Sequence, residues 1–234
     1  LPQSLLAHAG ITTAGTLKYQ RIIRIATHPV IQQRGIAKRL LDNIIEQVGG
    51  DIVGASFGAS SDVINFWSQA GFSPIRVGIH KDDVSGSHSI MMLKAVSGVG
   101  ETLLSTVVER FQQHWPYLLQ SQFKQLDADL VIQLFQLLPE TEAKLTSLDE
   151  QEIIAFSDGQ RGYEFSQIAL WNYLSSIVRT AGFQLLSSKQ QQLCVMVILQ
   201  QRSWADILKQ LKYTGKAQLV TALREAISIL WTRC

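Results

Sequence analysis

The first hundred residues alternate between short apolar runs and one strongly amphipathic segment. Residues 19–27 (YQRIIRIAT) are rich in isoleucine and show no helical period, which predicts a buried strand. This strand should end before Pro29, because proline has no N–H to donate to a sheet ladder. Residues 36–48 carry apolar side chains at helical spacing, with charged and amide residues between them. We therefore expect an amphipathic helix that ends at the glycines 49–50.

The pattern continues with another strand, another helix and a hairpin. Residues 51–58 predict a strand, and residues 60–72 predict a helix with a serine at its N-cap. Two apolar runs, at 73–80 and 88–96, predict strands that the polar segment 81–87 joins as a turn. The order of elements is therefore strand, helix, strand, helix and hairpin.

Strand patterns stop near residues 97–101, and every later pattern is helical. The helical patterns cover residues 103–115, 121–138, 147–157, 161–180, 187–200 and 215–231. We therefore expect two domains, at residues 1–97 and 98–234, of which the second is all-α.

The junction at residues 28–41 (HPVIQQRGIAKRLL) has the features of a phosphate-binding loop. Gly35 lies where the predicted strand passes into the predicted helix. The first turn of a helix has unpaired N–H groups and the positive end of the dipole, and a glycine lets an anion approach the backbone. The spacing fits neither a P-loop nor a three-glycine dinucleotide fingerprint. An ordinary strand-to-helix turn with surface amides is the alternative.

Several stretches together carry a family resemblance. QQRGIA resembles the Q/R-x-x-G-x-G/A signature of the GCN5-related N-acetyltransferases (GNAT). LPQSLLAHAG, RIIRIATHP, ASFGAS, FWSQAGF and RVGIHKDDVSGSHSIMML are similar to the bacterial tRNA(Met) cytidine acetyltransferase family. The resemblance runs over residues 1–96 and continues more loosely beyond them. It implies an α/β fold, a partial GNAT fold with a mixed sheet and helices, followed by an all-α tail that would bind tRNA.

The resemblance also implies an activity and its partners. Members of this family use acetyl-CoA and ATP to acetylate N4 of the wobble cytidine in elongator tRNA(Met). ATP, with Mg, is used by a helicase-like module that would lie upstream of this chain. We therefore expect a C-terminal fragment with little or no activity of its own. Two alternatives stay open: a generic acetyltransferase for a protein amine or small amine, and a non-catalytic module for RNA binding or assembly.

Carried over residue by residue, the resemblance predicts an acetyl-CoA site. Its residues are Ile25, Ala26, Thr27, Gln32, Gln33, Arg34, Gly35, Ile36, Ala37, Lys38, Asp62 and Gln69. Many relatives place a tyrosine four residues before the glycine of the "GF" helix end, where it protonates the leaving thiolate. This chain has Trp67 there, whose indole N–H is not a useful acid. His28 is the nearby titratable candidate, although a histidine before proline is more often structural.

The basic residues are unevenly distributed, although the net charge is only +2. No acid precedes Asp42, whereas six basic residues do. This cluster could serve CoA phosphates, tRNA phosphates or both, or it could be a solvated face. The residues predicted to contact tRNA are Lys18, Arg21, Arg24, Arg39, Lys209, Lys212 and Lys216.

Aromatic side chains and cysteines add two weaker expectations. Tyr163, Trp171 and Tyr173 lie near Arg161 and could stack on RNA bases, but a place in the core is the favoured interpretation. The cysteines, Cys194 and the last residue, indicate no disulfide framework and fit a reducing cytoplasm. No apolar run is long enough to span a membrane, and His and Cys show no metal-ligand spacing.

Overall fold

The computed structural model of the chain describes residues 1–47, 49–83 and 86–233. These residues belong to two compact units, Leu1–His114 and Trp115–Cys234. Four residues named in the predictions lie outside the described residues: Val48 of the helix, Val84 and Ser85 of the turn, and Cys234.

The first unit contains a four-stranded mixed sheet with helices. Its elements are α1 (Pro2–Ala9), β1 (Tyr19–Ile22), α2 (Ile36–Gln47), β2 (Ile52–Gly58), α3 (Ser61–Gln69), β3 (Ser73–Lys81), β4 (His88–Ala95) and the first part of α4 (Gly98–Leu119). The strand order is β1-β2-β4-β3. Strand β1 is parallel to β2, and β4 is antiparallel to β2 and to β3. This mixed arrangement confirms the predicted α/β class.

The core of the first unit lies on the two inner strands. Ile52 and Val53 of β2 and Ile90 and Met92 of β4 are fully buried. Pro74 lies in β3, at the edge of the sheet, where a strand tolerates a residue that cannot donate to the ladder. The hairpin of β3 and β4 occupies, to within one residue at each end, the two apolar runs that predicted it.

The prediction of a buried strand over residues 19–27 is wrong in two respects: the strand covers only the first four of these residues, and none of the four is buried. Strand β1 ends at Ile22, and the side chain of Ile23 is 85% exposed. An isoleucine-rich run without alternation is typical of a strand that is covered on both faces, which is why it predicted burial here. Within the described residues, β1 has a partner on one side only, so the isoleucines past Ile22 have no sheet to pack in.

Asp51 joins the starts of two strands to the start of α4. Its carboxylate accepts hydrogen bonds from the Lys18 backbone N–H at 2.8 Å and from the Ser97 hydroxyl at 2.7 Å. The backbone hydrogen bond from Lys18 contributes most to holding the pKa of Asp51 below its ordinary value, and the Ser97 hydroxyl contributes next. The ionised carboxylate therefore stabilises the folded state relative to the unfolded chain.

We predict that Asp51 makes the stability of the first unit depend on pH. Because its folded pKa is lowered, its contribution is fully present above the unfolded value of about 3.9 and is lost as the pH falls through the folded value. Urea midpoints measured by circular dichroism between about pH 5 and pH 2 should fall less steeply in Asp51→Asn than in the wild type. The exposed turn residue Asp83 gives the control, Asp83→Asn. Equal pH profiles for wild type and Asp51→Asn would contradict the assignment.

The second unit is all-α, as predicted. It contains the end of α4, then α5 (Ala128–Gln136), α6 (Ser147–Ser157), α7 (Tyr163–Ile177), α8 (Ser188–Cys194), α9 (Trp204–Leu211) and α10 (Lys216–Arg233). A π-helical turn, Val195–Leu199, continues α8 and is buried throughout. The predicted helix over 121–138 begins late, because Asp127 caps α5 by accepting from the N–H groups of Asp129 and Leu130.

Aromatic residues fill the core of this unit. Tyr163 and Tyr173 are each only 7% exposed, which confirms that they belong to the core. The Tyr163 hydroxyl donates to the Val197 carbonyl at 2.9 Å. Cys194 is fully buried, and burial raises the pKa of its thiol to about 12, so this thiol is unreactive in the folded protein.

The described residues contain neither a membrane span nor a metal cluster. No helix there is long and apolar enough to cross a bilayer. Nor do three His, Cys, Asp or Glu side chains come together there as metal ligands.

Candidate functional site

A cavity of about 1050 Å³ opens in the first unit beside β2. Its walls come from the extended segment after β1, the loop and first turn of α2, the end of β2, and one side of α3. This volume is at the upper end of the range typical of small-ligand sites.

The cavity forms where two parallel strands separate. Pairing between β1 and β2 runs from Tyr19↔Ile52 to Ile22↔Ala55 and stops there. Strand β2 continues to Gly58, paired with β4 on its other side. Both the segment 23–27 and Ser56–Phe57 line the cavity. Backbone groups of the segment 23–27 that a longer ladder would use are therefore available to a ligand.

The loop before α2 has the geometry of an anion site. Gly35 has a φ of 72° and Gln33 a φ of 60°, both in the left-handed region. Arg39 N–H donates to the Gly35 carbonyl at 3.0 Å, which makes this the first intrahelical bond of α2. The N–H groups of residues 36–38 therefore precede the ladder and point out of the helix end. No acidic residue lies in this first turn, so the positive end of the dipole is uncompensated.

The backbone strain of this loop is concentrated at Gln33. Left-handed backbone costs a non-glycine residue about 1–2 kcal/mol, and Gln33 lines the cavity in that conformation. Gln32 ties the loop to the preceding segment, because its Nε2 donates to the Thr27 carbonyl at 3.2 Å. Strained backbone held in this way is typical of ligand-binding loops.

The structure brings the predicted acetyl-CoA residues together, apart from Arg34. The cavity wall contains Ile25, Ala26, Thr27, Gln32, Gln33, Gly35, Ile36, Ala37, Lys38, Asp62 and Gln69. Arg34 is exposed and lies outside the wall. The residues come from three separate elements, so their meeting in one cavity is a result of the fold. Their role as ligand contacts stays a prediction.

Trp67 and His28 occupy different surroundings. The Trp67 ring is 4% exposed and packs against Phe57, Phe66 and Phe72 at centroid distances of 5.8, 5.3 and 4.8 Å. His28 is exposed outside the cavity wall, and its Nδ1 accepts from the Val30 N–H at 3.3 Å. This contact gives His28 a structural task as the cap of a short 3₁₀ turn, Pro29–Ile31, and its catalytic role stays a prediction.

Some wall residues were not predicted for this site. Ser56 and Phe57 line the cavity only because β1 stops at Ile22, and the sequence carries no signal for that. Asn65 and Phe66 of α3 also line the cavity. Arg24 was expected to contact RNA, yet it lies in the cavity wall.

The other basic residues predicted to contact RNA belong to both units. Lys18, Arg21 and Arg39 are exposed in the first unit and do not line it. In the second unit Lys209 and Lys212 are exposed. Lys216 is already engaged, since its Nζ lies 2.9 Å from Glu164 Oε1 and 4.9 Å from the centroid of the Trp204 ring.

Comparison with known proteins places these features in a family. The family model "GNAT acetyltransferase 2" matches residues 45–97. The chain is 33% identical over 232 residues to the tRNA(Met) cytidine acetyltransferase TmcA of Nitrosococcus halophilus (strain Nc4), a match over 97% of the chain and 31% of that relative. The TmcA of Vibrio cholerae serotype O1 is 34% identical over 232 residues, covering 98% and 31%. That of Thermofilum pendens is 28% identical over 214 residues, covering 87% and 26%.

The matches to the Nitrosococcus and Vibrio relatives extend through both units. The GNAT model covers the end of α2 and then β2, α3 and the hairpin, which supply part of the cavity wall. The chain spans about a third of the length of the curated relatives it matches. On this similarity the chain belongs to the family of the tRNA(Met) cytidine acetyltransferases.

Proposed function

We propose that the chain carries the acetyl-transferring site of an enzyme that N4-acetylates the wobble cytidine of elongator tRNA(Met). The observation that carries this proposal is the cavity between the diverging strands, which is lined at one end by the acid-free first turn of α2. Such a cavity fits a ligand with a diphosphate at one end and an extended amide-containing arm. Acetyl-CoA has that form.

Residues at different positions in the cavity would contact different parts of acetyl-CoA. Backbone groups at Ile25, Ala26 and Thr27 would pair with the amides of the pantetheine arm. The N–H groups from Gln33 to Lys38 would hold the diphosphate. Asp62 and Gln69 of α3 would contact the rest of the molecule. Arg34, outside the wall, would contribute its backbone N–H or its charge.

Bound acetyl-CoA would supply the acetyl group as a thioester, which the exocyclic amine of cytosine attacks directly. The amine is neutral at physiological pH, so no base has to activate it first. The new C–N bond forms as the C–S bond breaks, the amine loses a proton, and the sulfur gains one. The chain's contribution would be proximity and orientation, with backbone donors polarising the thioester carbonyl. Trp67, packed among phenylalanines, would support the wall and transfer no proton.

The domains and partners follow from the same proposal. Residues 1–97 would form the acetyltransferase part, and residues 98–234 a helical tail that binds tRNA. Lys18, Arg21, Arg24, Arg39, Lys209, Lys212 and Lys216 would contribute phosphate contacts. ATP, with Mg, would act in the part of the relatives that this chain does not span. The site of the reaction would be the cytoplasm, where tRNA is modified.

Calorimetry tests the proposal directly. We expect acetyl-CoA to bind the chain with a sub-millimolar dissociation constant, and tRNA to bind in a second titration, while acetyl turnover stays low without the rest of the enzyme. Desulfo-CoA is a control for binding without a reactive thioester. Absence of acetyl-CoA binding in a folded protein would contradict the site. Binding of acetyl-CoA without any binding of tRNA would instead favour another acetyl acceptor.

A further inference from the structure

Ser56 lies at the point where the two parallel strands separate. The last paired residues are Ile22 of β1 and Ala55 of β2. Ser56 is the next residue of β2, and on the other side of the strand it pairs with Met91 of β4. The ladder with β4 therefore holds the backbone of Ser56 in place, while the residue borders the cavity where β1 has diverged.

The cavity reaches both faces of β2 at this point. Three successive residues of the strand, Ala55, Ser56 and Phe57, line it. Side chains alternate between the faces of a strand, so Ser56 points to the face opposite that of Ala55 and Phe57. Phe57 stacks on Trp67 of α3, with ring centroids 5.8 Å apart and an interplanar angle of 14°. The Ser56 hydroxyl therefore lies on the face of the strand away from this aromatic pair.

The Ser56 hydroxyl is available to a ligand. The residue is half-buried, and its hydroxyl makes no hydrogen bond with any residue that the structure describes. Other serines of the first unit differ in this respect: the Ser97 hydroxyl donates to the Asp51 carboxylate at 2.7 Å, and the Ser68 hydroxyl donates to the Asn65 carbonyl at 3.0 Å. Because polar groups inside proteins are usually paired, an unpaired hydroxyl in the wall of a cavity indicates a partner in the bound molecule.

Transfer of an acyl group from a thioester to an amine requires a proton to move. The nitrogen gains positive charge as it attacks, and the sulfur gains negative charge as it leaves. The nitrogen must therefore lose a proton, and the sulfur must gain one. Trp67, on the other face of β2, offers only an indole N–H, which is not a useful acid. A group that takes one proton and gives another would serve both atoms.

The other proton-bearing side chains of the cavity wall suit this step less well. The Arg24 guanidinium is always protonated and has no acceptor atom. Lys38 lies in the first turn of α2 and Asp62 in the first turn of α3, and the proposed function assigns both to other parts of acetyl-CoA. Thr27 lies in the loop that Gln32 ties down, well past the last pair of β1. Ser56 is the hydroxyl residue of the wall that directly follows the last strand pair.

We infer that the Ser56 hydroxyl transfers a proton from the attacking amine to the sulfur of the thioester. This inference rests on the proposed function, which puts the acetyl-CoA arm along residues 25–27. As the C–N bond forms and the C–S bond breaks, Ser56 Oγ accepts a proton from the nitrogen and gives its own proton to the sulfur. A hydroxyl is donor and acceptor at once, so Ser56 is neutral before and after the step. No side chain in the site has to change its charge.

The complete enzyme with Ser56→Ala tests this proton transfer. The single-turnover rate of N4-acetylcytidine formation on tRNA should fall about a hundredfold, the lower end of the range for a group that transfers a proton. Ser56→Thr keeps the hydroxyl on a side chain that suits a strand, so it should keep the rate within a few-fold. Ser60→Ala is the matched control and should react like the wild type. Ser60 is exposed, lies outside the cavity wall and makes no side-chain cap for α3.

Binding measured on the chain itself separates chemistry from packing. Removal of the Ser56 hydroxyl breaks no hydrogen bond between described residues. Ser56→Ala should therefore melt at the wild-type temperature and bind acetyl-CoA with an unchanged dissociation constant in calorimetry. A merely structural serine would lower the melting temperature or the affinity together with the rate.

Mixtures of H₂O and D₂O test whether two protons move in one step. In the complete wild-type enzyme, the single-turnover rate should follow a bowl-shaped curve against the deuterium fraction, because one proton leaves the nitrogen as another reaches the sulfur. Ser56→Thr should keep that curve. A straight line in the wild type would overturn the transfer through Ser56.

The remaining outcomes distinguish this inference from the proposed function. A complete enzyme with Ser56→Ala that reacts within a few-fold of an active wild type would overturn the inference and leave the proposed function standing. A loss of rate with an equal loss of acetyl-CoA affinity would assign Ser56 to holding the ligand, and would also overturn the inference. A complete wild-type enzyme that acetylates no tRNA would overturn the proposed function, and the inference with it.

Discussion

Gly35→Glu is expected to abolish acetyl-CoA binding while leaving the chain folded. Gly35 lies at the start of α2 with its φ at 72°, and a Cβ added to it would meet no atom within 4 Å. The space beside it is therefore open, and we assign that space to the diphosphate. A glutamate there would place a carboxylate within a few ångströms of two phosphate charges.

The size of the effect follows from the charges. Two like charges about 4 Å apart repel by roughly 4 kcal/mol at an effective dielectric constant of about 20. That corresponds to about a thousandfold in the dissociation constant, before the second phosphate charge is counted. Backbone strain at Gly35 adds about 1–2 kcal/mol to any substitution, which acts on folding as well as on binding.

Two further variants separate the effects of backbone strain, side-chain bulk and charge on acetyl-CoA binding. Gly35→Ala carries the strain without the bulk, and Gly35→Gln carries the strain and the bulk without the charge. We expect affinity for acetyl-CoA to fall in the order wild type, Ala, Gln, Glu, measured by calorimetry, with circular dichroism verifying the fold of each. A folded Gly35→Glu that binds acetyl-CoA as tightly as the wild type would exclude the loop as the diphosphate site.

Trp67→Ala is expected to destabilise the first unit by about 3–5 kcal/mol, the range typical of removing a buried large aromatic. The Trp67 ring is 4% exposed and contacts three phenylalanine rings, one on β2, one on α3 and Phe72 just after it. Removing the Trp67 ring would leave a void next to the cavity and loosen the part of the cavity wall that α3 and β2 form. Trp67→Phe should cost less, on the order of 1 kcal/mol, because most of the aromatic contact is kept.

Hydrogen exchange read by mass spectrometry suits this test, because it reports each unit separately. Peptides from β2 and β4 should lose protection in Trp67→Ala, and peptides from α7 and α10 should not. In the complete enzyme, Trp67→Phe should keep activity within a few-fold. A loss on the order of a hundredfold or more in that variant would mean that Trp67 acts on the proton and not only in packing.

Local patterns were enough to predict most elements of the fold. Short apolar runs located β2 and the β3–β4 hairpin, and helical spacing located α2 and α3, because these elements bury the faces that their own residues define. The helix α9 and the short α1 were not predicted. The helix over residues 121–138 was predicted too long, since the capping residue Asp127 sets the start of α5.

The candidate site was predicted in part. The turn from Gln32 to Lys38 could be predicted as part of the candidate site because its features are local: glycine, amides and the absence of acids before a helix are all visible in sequence. Its role as an anion site stays a prediction. Ser56, Phe57 and Arg24 could not be assigned to the wall. Their place depends on where β1 stops pairing with β2, and that depends on partners distant along the chain.

The sequence by itself determined the order of elements from β1 to β4, the all-α character of residues beyond 98 and the turn with Gly35 before α2, because each depends on neighbours within one or two turns of chain. Only the tertiary structure decided which basic side chains are engaged by other residues of the chain. It paired Lys216 with Glu164 across 52 positions, and it placed Lys189 on the Tyr213 ring. It also opened the cavity by ending β1 at Ile22. Charge pairing and strand divergence depend on distance in space, which no local pattern of residues records.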